Sequence, residues 1–144
     1  METVKLTYDI DGDNFSAAGE ASTAVKRVLK KLKLPPALVR RAVVCMYEGE
    51  INMVIHADGG RAYLEVDEEK IVITLADRGP GIPDINKAME EGWSTASAEA
   101  RNSGFGAGMG LPNMKRNSDD MKIETEIGVG TIVTMTIYIG GEAQ

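Results

Sequence analysis

Apolar positions recur with two different periods along the chain. In "VKLTYDI" (residues 4–10) polar and apolar residues alternate, the period of a half-buried strand. "DGDN" then breaks the pattern and offers helix-capping side chains. From Phe15 to about Leu32, "FSAAGEASTAVKRVLKKL" spaces small and aliphatic residues against lysines as a helix with one buried side would. "KLPP" ends it. Pro35 and Pro36 suit the first turn of a second helix, where a missing N–H costs little, and that helix is predicted from Ala37 to about Ala57. "DGG" (58–60) punctuates, and "RAYLEV" and "KIVITLAD" read as a β-hairpin joined by Asp67-Glu68-Glu69-Lys70. "RGPGIPD" is a tight turn, and "DINKAMEEG" a short helix capped by Asp84. Residues 92–108, "GWSTASAEARNSGFGAG", have almost no aliphatic anchors and are expected to form a mobile, functional loop. "MGLPNMKRNSDD" returns to helix, "MKIETEI" and "TIVTMTIYI" close the chain as a hairpin around "GVG", and the tail "GGEAQ" is expected to fray.

The order β-α-α-β-β-α-loop-α-β-β holds too many strands for a doubly wound parallel sheet. It predicts an α/β (α+β) two-layer sandwich: a mixed, mostly antiparallel sheet with helices on one face. At 144 residues, 43% hydrophobic and 26% charged, the chain is the size and composition of one globular domain, 1–144. A net charge of −6 argues against a nucleic-acid partner. No basic leader opens the sequence and no apolar run nears the ~20 residues of a membrane span, so a cytoplasmic protein with no membrane partner is expected. One cysteine, Cys45, and one histidine, His56, exclude an internal disulfide and the Cys/His zinc patterns. Cys45 reads as a small buried hydrophobe.

The second helix contains "EGEINMVIHA" (48–57), which lines up Glu48, Asn52 and His56 at intervals of four. Residues so spaced lie about 40° apart around a helix and form one row. The row suits a wet face, yet Asn is a mediocre helix former where Lys or Arg would serve better. The alternative is a site: an Asn carbonyl for a hard cation such as Mg²⁺, with Glu48 one turn away to orient or deprotonate a nucleophile. His56 fits either a structural bond or the site. Gly49, mid-helix, costs roughly 1 kcal/mol relative to Ala and implies that something packs closely on the backbone there.

Three glycine clusters follow. "DRGPGIPD" sets Asp77 at a strand end before Gly79 and Gly81, a carboxylate able to accept from an exocyclic amine beside a backbone able to turn sharply. "GFGAGMGLPNMK" leads into a helix whose free N–H groups suit phosphate, though it matches neither the P-loop nor the GxGxxG pattern. "GVGT" (128–131) by itself is a hairpin turn.

In that order, the Glu-x-x-x-Asn helix, Asp-x-Gly-x-Gly, the Gly-rich loop opening a helix and Gly-x-Gly-Thr resemble the ATP-binding (Bergerat-fold) domain of the gyrase, heat-shock chaperone, histidine-kinase and MutL superfamily. The resemblance runs from about Leu6 to Ile139. Within it, "EGEINMVIHA" and "DRGPGIPDINKAMEEGWST…GAGMGLPNMK" look most like the serine kinases of bacterial anti-sigma and partner-switching systems. The resemblance implies Glu48 as general base, Asn52 as the Mg²⁺ ligand and Asp77 as the reader of adenine. Gly79, Gly81, Gly108, Met109, Gly110 and Leu111 would shape the pocket and its lid, residues 92–108, with Thr131 near the base. Some members carry an arginine just before Ala-Gly-Met-Gly; here that position is Gly106, and Arg101 or Lys115 would have to substitute. The function implied is an ATP- and Mg²⁺-dependent serine kinase acting on a STAS-type anti-sigma antagonist, with a sigma factor as a further partner and a homodimer as the expected assembly. The alternative is a nucleotide-gated module that sequesters a sigma factor or other regulator without significant kinase activity.

Overall fold

The computed structural model describes residues 3–12, 19–56, 59–82, 84–89 and 110–140. Strand β1 is Val4–Asp11, followed by helices α1 (Glu20–Lys31) and α2 (Pro36–His56). Strands β2 (Gly59–Val66) and β3 (Lys70–Asp77), helices α3 (Ile85–Ala88) and α4 (Gly110–Asn117), and strands β4 (Asp120–Glu126) and β5 (Gly130–Tyr138) complete the order. The expected start of α1 at Phe15 and the loop 92–108 lie outside the described residues.

The five strands form one sheet in the order β1-β2-β3-β5-β4. Every pairing is antiparallel, so the expected mixed sheet is antiparallel throughout its described strands. Register sets Leu6, Leu64, Ile73, Met135 and Met121 in one row across the sheet. Burial alternates along β2, β3 and β5, so one face is apolar and covered while the other is wet. Helix α2 supplies the cover, packing on β1, β2, β3 and β5, while α1 packs on α2. The core joins Val25 and Leu29 of α1 and Ala42, Met46 and Met53 of α2 to Leu64, Ile71, Ile73 and Met135 of the sheet. Among the described residues no helix is long and apolar enough to cross a membrane.

Local chemistry explains most boundaries. Pro36 opens α2 with the Pro35 carbonyl accepting from Leu38 and Val39, as its missing N–H allows. Asp84 caps α3 by accepting the Lys87 N–H at 3.0 Å. Two expectations are corrected. Helix α1 begins at Glu20, because Gly19 is left-handed at φ 106° and no helix runs through it. Gly59 and Gly60 do not punctuate; they pair with Asp11 and Ile10 and belong to β2, where sheet hydrogen bonds override a turn-like composition.

Helix α1 has no side-chain cap of its own. Its first N–H groups are met from α2: Glu50, 2% exposed, accepts from Ala21 N–H at 3.1 Å and Ser22 N–H at 3.0 Å. Gly49 fulfils its expectation. A Cβ there would lie 2.0 Å from Leu75 Cδ1, so only glycine lets α2 approach β3 this closely. That contact sets the middle of α2 beside the end of β3 that carries Asp77.

Candidate functional site

Two constellations meet where α2 passes the end of β3. The first lies between α2 and α4. Arg41, Cys45, Glu48 and Asn52 are spaced four, three and four residues apart and therefore share one face of α2. In reverse order they meet Asn117, Met114, Asn113 and Gly110 of α4, so the helices run in opposite directions. Arg41 Nε donates to the Asn117 carbonyl at 3.1 Å, and Cys45 Sγ to the Met114 carbonyl at 3.7 Å. Asn113 Nδ2 donates to Glu48 Oε2 at 2.6 Å. At Gly110 a Cβ would fall 2.8 Å from Asn52 Oδ1, so a side chain there would displace the Asn52 amide.

Asn52 is half-buried, and its amide has no hydrogen-bond partner among the described residues. The buried thiol of Cys45 is pushed up to about 12 by burial, which the Arg41 charge only partly offsets. It is a packing group, as the sequence implied. Beyond Asn117, Arg41 Nη2 bonds Asp119 Oδ1 at 2.9 Å, and Asp119 Oδ2 accepts the Tyr138 N–H at 2.8 Å. Burial alone would raise the Asp119 carboxyl, but the Tyr138 N–H and the Arg41 hydrogen bond and charge outweigh it and hold it below the ordinary 3.8. This ion pair ties α2, the end of α4 and the sheet together.

The second constellation joins the turn after β3 to the β4–β5 hairpin. Asp77 Oδ1 accepts from Gly79 N–H at 2.9 Å and Thr131 N–H at 3.0 Å. Its other oxygen, Oδ2, has no protein partner among the described residues. Gly81, at φ 87°, carries the chain around, and Ile82 N–H donates to Thr125 Oγ1 at 2.8 Å. Thr125 Oγ1 lies 2.9 Å from Thr131 Oγ1 and 3.4 Å from the Gly130 carbonyl. A hydroxyl has one proton, so Thr131 donates to Thr125 and Thr125 donates to Gly130. Gly128 N–H closes the junction on the Pro80 carbonyl at 2.9 Å.

Of the residues singled out from sequence, Glu48, Asn52 and Gly110 come together at the α2–α4 contact, and Leu111 is buried in the core. Asp77, Gly79, Gly81 and Thr131 come together at the strand end. Lys115 is on another side of α4, lining an open groove of about 480 Å³ with Ile85, Asn86, Met89 and Asp119. Arg101, Gly106, Gly108, Met109 and the His56 side chain lie outside the described residues. Sequence reasoning missed Asn113 and Thr125, whose roles exist only through partners 65 and 43 positions away. A faint signal was present for Asn113: a poor helix former directly after Pro112 in a helix of eight residues.

Among the described residues no three His, Cys, Asp or Glu side chains converge as a metal cage.

The family model of the histidine kinase-like ATPase domain matches residues 14–137. The anti-sigma F factor of Caldanaerobacter subterraneus subsp. tengcongensis is 35% identical over 102 residues, which make up 71% of this chain and 64% of that protein. The serine/threonine-protein kinase RsbT of Bacillus subtilis is 36% identical over 94 residues, 65% of this chain and 59% of that protein. The chain thus spans just under two thirds of the length of these relatives. In fold it is similar to the crystal structure of the RsbU and RsbW domains of Rv1364c from Mycobacterium tuberculosis. That likeness has a TM-score of 0.62 at 15% identity, over 94% of this chain and 32% of that one.

Proposed function

Because this chain belongs to the histidine kinase-like ATPase domain family, we propose that it is an ATP- and Mg²⁺-dependent serine kinase acting on a STAS-type anti-sigma antagonist. A sigma factor is the further partner and a homodimer the assembly that go with this reading. The observation that carries it is Asn52. Its half-buried amide has no hydrogen-bond partner among the described residues and stays open to a ligand, and the missing side chain of Gly110 leaves that amide undisplaced beside the start of α4.

The residues fit the substrate. Asp77 is held by two backbone N–H groups on one oxygen and offers the other to the exocyclic amine of adenine. At Gly81 a Cβ would fall 2.8 Å from the Glu126 carbonyl oxygen, so glycine there lets the turn after β3 close on the hairpin that holds Asp77. The first turn of α4, at Gly110 and Leu111, presents backbone N–H groups and the positive end of a helix dipole to phosphate oxygens. Asn52 Oδ1 would hold Mg²⁺, which when bound supplies charge neutralisation to the phosphates. Glu48 Oε1, the oxygen not bonded to Asn113, takes the proton of the incoming serine hydroxyl. The serine oxygen forms the new bond to the γ-phosphorus, the bond to the β-phosphate oxygen breaks, and ADP leaves. Positioning does most of the work in such a transfer.

The test is phosphate transfer. The protein is incubated with Mg-ATP and each STAS-domain protein of its own organism, and products are read by mass spectrometry beside Glu48→Gln. Phosphoserine that is lost in the variant supports the reading. Confirmed ATP binding with phosphoserine on no candidate would leave a sequestering module in its place.

A further inference from the structure

A general base is effective only while its carboxylate stays in place relative to the acceptor. Among the described residues, the one hydrogen bond to the Glu48 side chain comes from Asn113 Nδ2, at 2.6 Å. Asn113 is itself held. Its Oδ1 accepts from Nη2 of Arg116, three residues along α4, and its carbonyl accepts from Asn117 Nδ2 at 2.9 Å. A guanidinium only donates and a carboxylate only accepts, so the amide oxygen must face Arg116 and the amide NH₂ must face Glu48. Asparagine answers both neighbours at once. Aspartate has no proton for Glu48, and leucine, of similar size, answers neither.

We infer that Asn113 is a positioning residue for phosphate transfer: it clamps Oε2 of Glu48 and leaves Oε1 to meet the serine hydroxyl. The inference rests on Glu48 being the base. It also makes the base answer to α4, because the helix that opens at Gly110 beside Asn52 carries the clamp one turn further on. A shift of α4 along α2 therefore moves the cation ligand's neighbour and the base's anchor together.

The test compares Asn113→Leu, Asn113→Asp and Asn113→Gln with the unaltered protein in steady-state phosphate transfer, with ATP affinity measured separately. Asn113→Leu is expected to lower kcat on the order of tenfold to a hundredfold, the effect of a misplaced catalytic group, with the KM for ATP and partner affinity within about twofold. Asn113→Asp, which sets a like charge against Glu48, should fall further. Asn113→Gln keeps both ends of the bridge and should recover part of the rate. An unchanged kcat in Asn113→Leu, a loss confined to KM, or no recovery in Asn113→Gln would overturn the inference and leave the kinase reading standing. No transfer by the unaltered protein while ATP binds would overturn both. Should the leucine variant not fold, the side-chain amide protons of Asn113 decide by NMR. The proton donated to Glu48 should lie downfield and return to the ordinary amide range in Glu48→Ala; the same shift in both proteins would overturn the clamp.

Discussion

Replacing Glu50 by alanine should cost the protein about 3 kcal/mol. Its carboxylate, 2% exposed, caps α1 from α2 and is bonded to the N–H groups of Ala21 and Ser22, which are 4% and 5% exposed. Once the acceptor is gone, neither donor has water or another residue to turn to. Each unsatisfied buried donor costs roughly 1–3 kcal/mol. Losing a negative charge at a helix N-terminus and opening a small cavity act in the same direction, while relief from burying a carboxylate acts against them. Glu50→Gln keeps one acceptor oxygen and should cost about half as much. Glu48→Gln, two residues away but half-buried and still able to accept from Asn113, should change stability by less than about 0.5 kcal/mol. Urea unfolding followed by circular dichroism reads all three. With a slope of about 2 kcal/mol per molar, the Glu50→Ala midpoint should fall by about 1.5 M. A midpoint within about 0.3 M of the unaltered protein, or an equal fall in Glu48→Gln, would refute the assignment of Glu50 to structure and Glu48 to the site.

Gly49→Ala gains about 1 kcal/mol of helix propensity but pushes a methyl to 2.0 Å from Leu75 Cδ1, and overpacking costs roughly 1–3 kcal/mol. The protein should lose about 1 kcal/mol, and a gain in unfolding midpoint would show the α2–β3 contact to be looser than described. The Asp119 carboxyl is lowered in the folded state, so its stabilisation is complete above the ordinary value of 3.8 and is lost as pH falls through the folded value. The stability difference between the unaltered protein and Asp119→Asn should be flat above about pH 5 and shrink on further acidification; growth on acidification contradicts the sign. Cys45, fully buried and raised to about 12, should resist a disulfide-exchange reagent in the native protein and release one thiol per chain in urea. Rapid native labelling would contradict its burial.

Much of the candidate site drew attention in the sequence because its residues break local rules. An asparagine on an apolar helix, a glycine in the middle of that helix and an Asp-x-Gly-x-Gly after a strand each sit where plain packing would choose otherwise, and Gly49 does abut Leu75. What could not be read depended on distant partners. The four-residue row with Asn52 picked Glu48 out of "EGE", but nothing local marked Glu50, two residues on, as the cap of α1; only the fold turns one towards α4 and the other towards α1. Asn113 matters because helix packing brings it to Glu48. Thr125 looked like any polar strand residue, yet it ties the turn after β3 to the closing hairpin. The glycine errors run the other way: Gly59 and Gly60 look like a turn, and strand pairing with β1 decided otherwise.

The strand order has a consequence for how the molecule is made. Strand β5 lies inside the sheet, between β3 and β4, although both precede it along the chain. While a ribosome is still translating the residues before Gly130, β3 has a bare edge, and Asp77 lacks the Thr131 N–H that fixes its carboxylate. A nascent or prematurely terminated chain of that length leaves the backbone N–H and carbonyl groups of that edge unpaired, the kind of surface that chaperones and proteases act on. The order of synthesis thus withholds the finished strand end, with Asp77 held by Thr131, until nearly all of the sheet exists.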